Sequence, residues 1–275
     1  MSLFRTEHHI AVLCPDEVAI YRPGRSRASS VAERGAAAAF AVSRTDGAPA
    51  WGGALKKLVA WLARRPAPSA VRLRVVLSNS FVRFACVPWS EAIADEGELQ
   101  TVAGLMLESC YGDMTGWTVS LDNGGWGEAR LACAVENALL AELREAFKAA
   151  HVDCSRIEPY FVTCWNRWCG ELPAGDALLV VAEPQGPTVM ASFRSGAWNS
   201  VRTVGGGYVA APLLRRLLDR EALLQGFEGM PGCWLHCPGL APGCTELAGT
   251  PIRMLALQKH SPSVAMTMAL VGGGK

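Results

Sequence analysis

No apolar run in this chain of 275 residues comes near the roughly 18–20 residues needed to span a bilayer. The most apolar stretch, Val264 to Val271, is too short for that and reads as a buried helix end. The opening MSLFRTEHH lacks the apolar core of a secretory signal. Together these absences lead us to expect a cytoplasmic protein without direct membrane insertion. Charge is sparse at 19% against 50% hydrophobic residues, a balance that excludes intrinsic disorder and fits a chain with a sizeable core. There is no Walker A phosphate loop. VGGGK at 271–275 resembles one only superficially, because a phosphate loop must feed a helix whose N-terminus faces the phosphate. A redox C-x-x-C is missing too: Cys164 and Cys169 stand five apart, a spacing that turns two helical thiols away from each other.

Cysteine itself is plentiful, with ten in the chain. In a reducing compartment these are expected as free thiols, most of them small buried hydrophobes. Cys233, His236, Cys237 and Cys244 raise a zinc reading, but their spacing matches no common ligand pair. On a strand, Cys233 and Cys237 would share one face and His236 the other. Buried thiols and no metal are therefore expected. A Cys–His nucleophilic pair could form between residues distant in the chain, but with five histidines it is not the expected reading. Net charge is +1, yet residues 1–90 carry 13 Lys/Arg against 5 Asp/Glu and residues 91–150 carry 3 against 11. Such segregation suits steering between partners, or two solvated faces. A nucleic-acid site would want basic residues on one face with aromatic or motif support; Arg25, Arg27, Arg34 and Arg44 lie in an Ala/Ser-rich stretch, so nucleic acid is not an expected partner.

Patterning predicts a hairpin over 9–14 and 17–22, a third strand near 36–44, a helix over 51–65 with Leu55, Leu58, Val59 and Leu62 inward, and a strand over 72–77. A strand at 81–89, a helix at 98–110 with Leu99, Val102, Leu105 and Met106 inward, strands at 117–121 and 129–135, and a helix at 136–150 follow. Residues 155–169 are expected as a connecting helix, with Ile157, Phe161, Cys164, Trp165 and Trp168 on its buried face. Strands at 177–182, 188–193 and 197–204, a helix at 208–225, strands at 233–237 and 251–255 and a helix from Pro262 complete the chain. Most tryptophans should be core. Trp89, after Pro88, and Trp126, in a Gly-rich hairpin tip, are expected at the surface, where aromatic anchors often carry interface energy.

The hairpin-led unit at 8–22 recurs at 177–204, which is the plan of a duplicated α/β fold. In order and spacing, roughly residues 8–275 resemble the actin-like cytoplasmic proteins of type IV pilus and type II secretion machines, PilM and the cytoplasmic part of GspL among them. The resemblance is carried by FVRFACVPW with Arg83 and Pro88, by the acidic helix that begins near Leu99, by DALLVVAEPQGPTVMASFRSGAWNSVRTVGGG, by CWLHCPGLAP and by PSVAMTMALVGG. It implies an actin-like (ribonuclease H-like) α/β fold with a small α/β insertion in the first half. The parts would be a first subdomain at 1–80, the insertion at 81–153, and a second subdomain with the connecting helix at 154–275.

The departures from that family's ATPase relatives bear on function. Actin-like ATPases place an Asp-x-Gly step in each hairpin turn, where Gly admits the phosphates to backbone N–H groups and Asp organises the metal. Here the first turn is Leu13-Cys14-Pro15-Asp16-Glu17 and the second is Glu183-Pro184-Gln185-Gly186-Pro187. Prolines remove donors, and Asp16 and Glu17 put negative charge where phosphate would sit. Cys14, Asp16, Glu183, Gly186, Gly206 and Gly239 are thus degenerate phosphate-loop positions, and no cofactor is expected. The resemblance implies a non-enzymatic scaffold that holds the cytoplasmic tail of an inner-membrane assembly partner and contacts the assembly ATPase, with Arg83, Trp89 and Trp126 as candidate partner-binding residues. The alternative, a divergent ATPase or small-molecule kinase, would take ATP with Mg²⁺.

Overall fold

The computed structural model describes residues 7–23, 37–43, 47–64, 71–206, 211–238, 246–247, 250–257 and 263–273. The chain divides into two compact units. The first comprises Met1–Phe81, Ala138–Arg167 and Leu257–Lys275, and the second Val82–Asn137 and Trp168–Ala256.

In the first unit, β1 (Glu7–Leu13), β2 (Glu17–Tyr21) and β3 (Ala37–Ala41) form an antiparallel meander. Helix α1 (Gly52–Ala63) returns the chain to β4 (Val71–Leu77), which pairs parallel with β1. Helix α3 (Asn137–Ala149) leads into β8 (Asp153–Pro159), which adds parallel to β4, for an order of β3-β2-β1-β4-β8. β1 is buried continuously from His9 to Leu13, as befits a strand covered on both faces. His9 and Ile10 point to opposite faces. Trp61 of α1 meets the His9 ring edge-on at 5.5 Å, whereas the last helix, α6 (Val264–Gly272), brings Gly272 against Ile10 and Val76. The sheet is therefore sandwiched between α1 and α6.

The second unit repeats this plan. β9 (Ala177–Ala182), β10 (Thr188–Arg194) and β11 (Ala197–Val204) form an antiparallel meander. Helix α5 (Ala211–Leu224) leads to β12 (Gly232–His236), parallel to β9, followed by β14 (Thr250–Met254), parallel to β12. The two-residue β13 (Glu246–Leu247) pairs with β14, so the order is β11-β10-β9-β12-β14-β13. The duplication read in the sequence is thus present strand for strand, with β13 an addition. Leu214, Leu217 and Leu218 of α5 pack on Leu178, Val180, Met190, Cys233, Leu235 and Ile252. His236 faces the other side, with its ring 4.6 Å from that of Trp168 and its Nδ1 2.7 Å from the Leu255 carbonyl. Cys233 and Cys237 share the α5 side, as the strand period required.

Also in the second unit, β5 (Val82–Val87), β7 (Arg130–Glu136) and β6 (Trp117–Leu121) form an antiparallel sheet of order β5-β7-β6. Helix α2 (Glu96–Tyr111) covers it through Leu99, Ala103 and Leu107. Asp95 caps α2, its carboxylate accepting the Glu98 N–H at 2.9 Å, while Glu98 accepts the Ala94 N–H at 2.8 Å. This reciprocal pair satisfies two orphan donors.

Three expectations are corrected. The segment 155–159 is strand rather than helix, because its backbone continues the parallel ladder with β4. Only Tyr160–Trp168 forms a helix, α4. Leu105 is 60% exposed, since the seam is set by steps of four through Leu99, Ala103 and Leu107 and leaves Leu105 on the outer side. Val59 of α1 is exposed as well, on a helix whose buried line runs through Leu55, Leu58 and Leu62.

Candidate functional site

The β1–β2 turn is closed within the first unit. Cys14 N–H donates to the Glu17 carbonyl at 2.9 Å, and the Asp16 carbonyl accepts from Val42 N–H at 2.7 Å. The buried Cys14 thiol lies 3.6 Å from the Met268 sulfur. Glu17 is the informative residue. Its carboxylate accepts the Ser263 hydroxyl at 2.6 Å and the Ala265 N–H at 3.1 Å, while Ser263 Oγ accepts the Met266 N–H at 2.9 Å. A helix start exposes unpaired N–H groups and a partial positive charge, and an anion stabilises it. At α6 that anion is Glu17 itself, from the turn where an ATPase would face phosphate.

The β9–β10 turn in the second unit is equally self-contained. Gly186 N–H donates to the Glu183 carbonyl at 3.1 Å, and Glu183 N–H to the Pro187 carbonyl at 3.3 Å. Of residues 183–187, two are prolines without an N–H and two spend theirs inside the hairpin. Glu183 is buried and Gly186 half-buried. Gly206 lies directly over this turn. A Cβ there would meet the Gly186 carbonyl oxygen at 2.3 Å, so the contact requires glycine. Gly239 and Cys244 lie outside the described residues. Among the described residues, no group of three His, Cys, Asp or Glu is placed to hold a metal ion, and no helix is long and apolar enough to cross a membrane.

The structure brings Trp89 and Trp126 together. Trp89 follows β5, Trp126 sits at the β6–β7 tip, and pairing of Val87 with Arg130 sets the two loops side by side. Their rings meet edge-to-face at 5.9 Å. Trp126 is 79% exposed and Trp89 half-buried. Arg83 does not join them. Its guanidinium stacks 5.3 Å from both the Tyr111 and Trp117 ring centroids, which closes the end of the core between α2 and its sheet. β6 is the outer strand of that sheet, but its edge is partly covered, because Gln100 of α2 donates to the Val119 carbonyl at 2.9 Å. Nothing in sequence signalled Glu17 as a helix cap or Gln100 as an edge cover. Both join segments set together by the fold.

Asp122, at the end of β6, has its carboxyl pushed up by burial, against the Leu131 and Gly124 N–H groups, Arg130 and Trp198, which lower it. A carboxyl raised in the folded state binds its proton more readily there than in the unfolded chain. It therefore withdraws stability as pH rises through its folded value and keeps it withdrawn above. Asp122→Asn should accordingly raise the melting temperature at neutral pH and leave it unchanged near pH 3. A drop at neutral pH would show that the carboxylate's hydrogen bonds outweigh burial.

Burial also pushes the thiols of Cys86 and Cys133 up to about 11, helped by the Asp122 charge. Cys237 is pushed up to about 11 and Cys233 to about 12. Thiolate is the reactive form, so these side chains are inert at neutral pH. Among the described cysteines, Cys110 and Cys169 are exposed. Brief treatment of the folded protein with a thiol reagent should label those two, and Cys233 and Cys237 only after denaturation; rapid labelling of Cys233 would contradict this packing.

No protein-family model matches the sequence, and no curated protein matches it. Solved structures do match in shape. The PilM–PilN type IV pilus biogenesis complex superposes with a TM-score of 0.62 at 14% identity, over 96% of this chain and 98% of that one. The cytoplasmic domain of EpsL, an inner-membrane component of the type II secretion system of Vibrio cholerae, matches with a TM-score of 0.56 at 14% identity, over 96% and 94%. A Bacteroides thetaiotaomicron protein with an actin-like ATPase fold and unknown function gives 0.56 at 10% identity, over 88% and 87%. The chain has the actin-like fold.

Proposed function

We propose that this chain is a non-enzymatic cytoplasmic adaptor of a type IV pilus or type II secretion-like machine, and that it holds the cytoplasmic tail of an inner-membrane assembly partner. The observation that carries the reading is Glu17. A carboxylate bonded to the Ser263 hydroxyl and the Ala265 N–H puts the chain's own anion beside the first hairpin turn, and a phosphate arriving there would meet that charge at close range. Two prolines in the second turn reduce its donors in the same direction. The kinase or ATPase alternative needs a metal-anchoring Asp, and neither turn offers the Asp-x-Gly step.

The adaptor role draws on the likeness to a PilM–PilN complex and to an inner-membrane component's cytoplasmic domain. Fold alone does not assign function, and the docking surface rests on this chain's own residues. Trp89 and Trp126 supply a preformed, exposed aromatic anchor at the end of the β5-β7-β6 sheet. Such anchors dominate binding energy in small interfaces. The tail would lie in that corner, and contact with the assembly ATPase would follow from the same placement at the membrane.

Synthetic peptides of the N-terminal cytoplasmic tails of the inner-membrane proteins from the same organism's pilus and secretion loci test this by fluorescence anisotropy. Saturable binding of one tail is the expected result. If none binds at millimolar protein, the adaptor reading is wrong.

A further inference from the structure

Two helices of the second unit keep apolar side chains in solvent on stripes of opposite charge. On α5 the outer stripe runs Leu213, Arg216, Arg220, Leu223 and Leu224, at steps that keep one helix face. Leu223 is 81% exposed, Leu224 51% and Leu213 43%. Arg215 is held by Asp219 at 2.8 Å, but neither Arg216 nor Arg220 has an ion-pair partner among the described residues. On α2 the outer stripe runs Glu98, Thr101, Leu105 and Glu108. Between Arg83 and Arg130 the sequence carries no Lys or Arg but eight Asp or Glu, so this face stands in an acidic field.

We propose that these two stripes are the halves of one self-contact, in which α5 of one copy docks on α2 of another. The spacings agree. Arg220 stands three residues before Leu223, and Glu108 three residues after Leu105. Seating Leu105 on Leu223 and Leu224 with the helices antiparallel therefore sets Glu108 opposite Arg220, because three residues advance about 4.5 Å along either axis. Glu98 is already engaged by the Ala94 N–H, which leaves Glu108 as the acid available for pairing. Because the two faces differ, the contact is heterologous and each copy keeps one face free for the next. The association is small and weakened by salt. It is independent of the tail-binding reading, since it uses neither Trp89 nor Trp126.

Sedimentation velocity over a concentration series at low and high salt measures it. The wild-type chain should associate with rising concentration and dissociate in high salt. Arg220→Glu and Glu108→Lys should each weaken association at least ~10-fold, in line with loss of one close charge pair plus a new repulsion, while the melting temperature stays unchanged because both side chains are exposed. The chain carrying both changes should associate again, since the swapped charges still face each other. Leu223→Ser should abolish association. A wild-type chain that stays monomeric at every concentration overturns the proposal, as does a double variant no better than the singles. Flotation of monomeric protein with anionic vesicles, lost in Arg220→Glu, would assign the α5 face to a lipid surface and overturn it equally.

Discussion

Arg74→Ala is expected to destabilise the protein by about 3–5 kcal/mol, the usual cost of stranding a buried charge. Glu158 is nearly inaccessible, and its carboxylate accepts the Arg74 guanidinium, with Nε at 2.6 Å. Thr163 donates to the same oxygen at 2.9 Å, and Arg74 also reaches the Gly272 carbonyl at the end of α6. One guanidinium thus ties β4, β8 and the last helix together. Without it the carboxylate keeps only Thr163 and the exposed Arg156, 3.4 Å from its second oxygen. At about 2–4 °C per kcal/mol for chains of this size, the melting temperature should fall by roughly 6–20 °C. Arg72→Ala is the control. Its pairing with Asp153 is similar in form but open to water on both sides, so it should cost under about 1 kcal/mol. The joint change Arg74→Met with Glu158→Leu should recover most of the loss, since a well-packed apolar pair can replace a buried ion pair. Equal melting shifts for Arg74→Ala and Arg72→Ala would show that burial of Glu158 is not what makes the pair matter.

Trp126→Ala should weaken tail binding by at least roughly 30-fold, the effect of losing a hot spot of about 2 kcal/mol, and leave the melting temperature where it is. The separation of the two effects follows from exposure. Trp126 is largely in solvent and touches Trp89 through one edge, so truncating it opens no cavity. Trp89→Ala should also weaken binding, with some loss of stability because that ring is half-buried. Arg83→Ala should do the reverse: lower the melting temperature through the lost stacking on Tyr111 and Trp117, and leave the tail affinity close to wild type. An unchanged affinity in Trp126→Ala would remove the aromatic corner from the binding site.

Much of the fold was legible because it is written in local patterns. The runs HIAVL and ALLVVA are strand segments buried on both faces, and Pro-Asp and Pro-Gln-Gly turns break them at the hairpins. What failed did so where local signals conflict. SRIEP carries no clean alternation, and Pro159 suits a strand end as well as a first helical turn, so only the ladder with β4 decides it. Leu105 reads as inward in the sequence because leucines mark seams, but Ala103 takes that place. The shortage of N–H donors in the second turn could be read from its two prolines alone. The partner of Glu17 could not, because Ser263 lies 246 residues away and no spacing rule connects them.

Calorimetric titration of the purified chain with ATP and Mg²⁺, followed by a phosphate-release assay on the same sample, bears most directly on the proposed loss of the anion grip. We expect heats no larger than dilution up to millimolar nucleotide and no phosphate released above the buffer rate. Saturable binding at micromolar ATP with turnover would contradict the account and restore the enzyme reading.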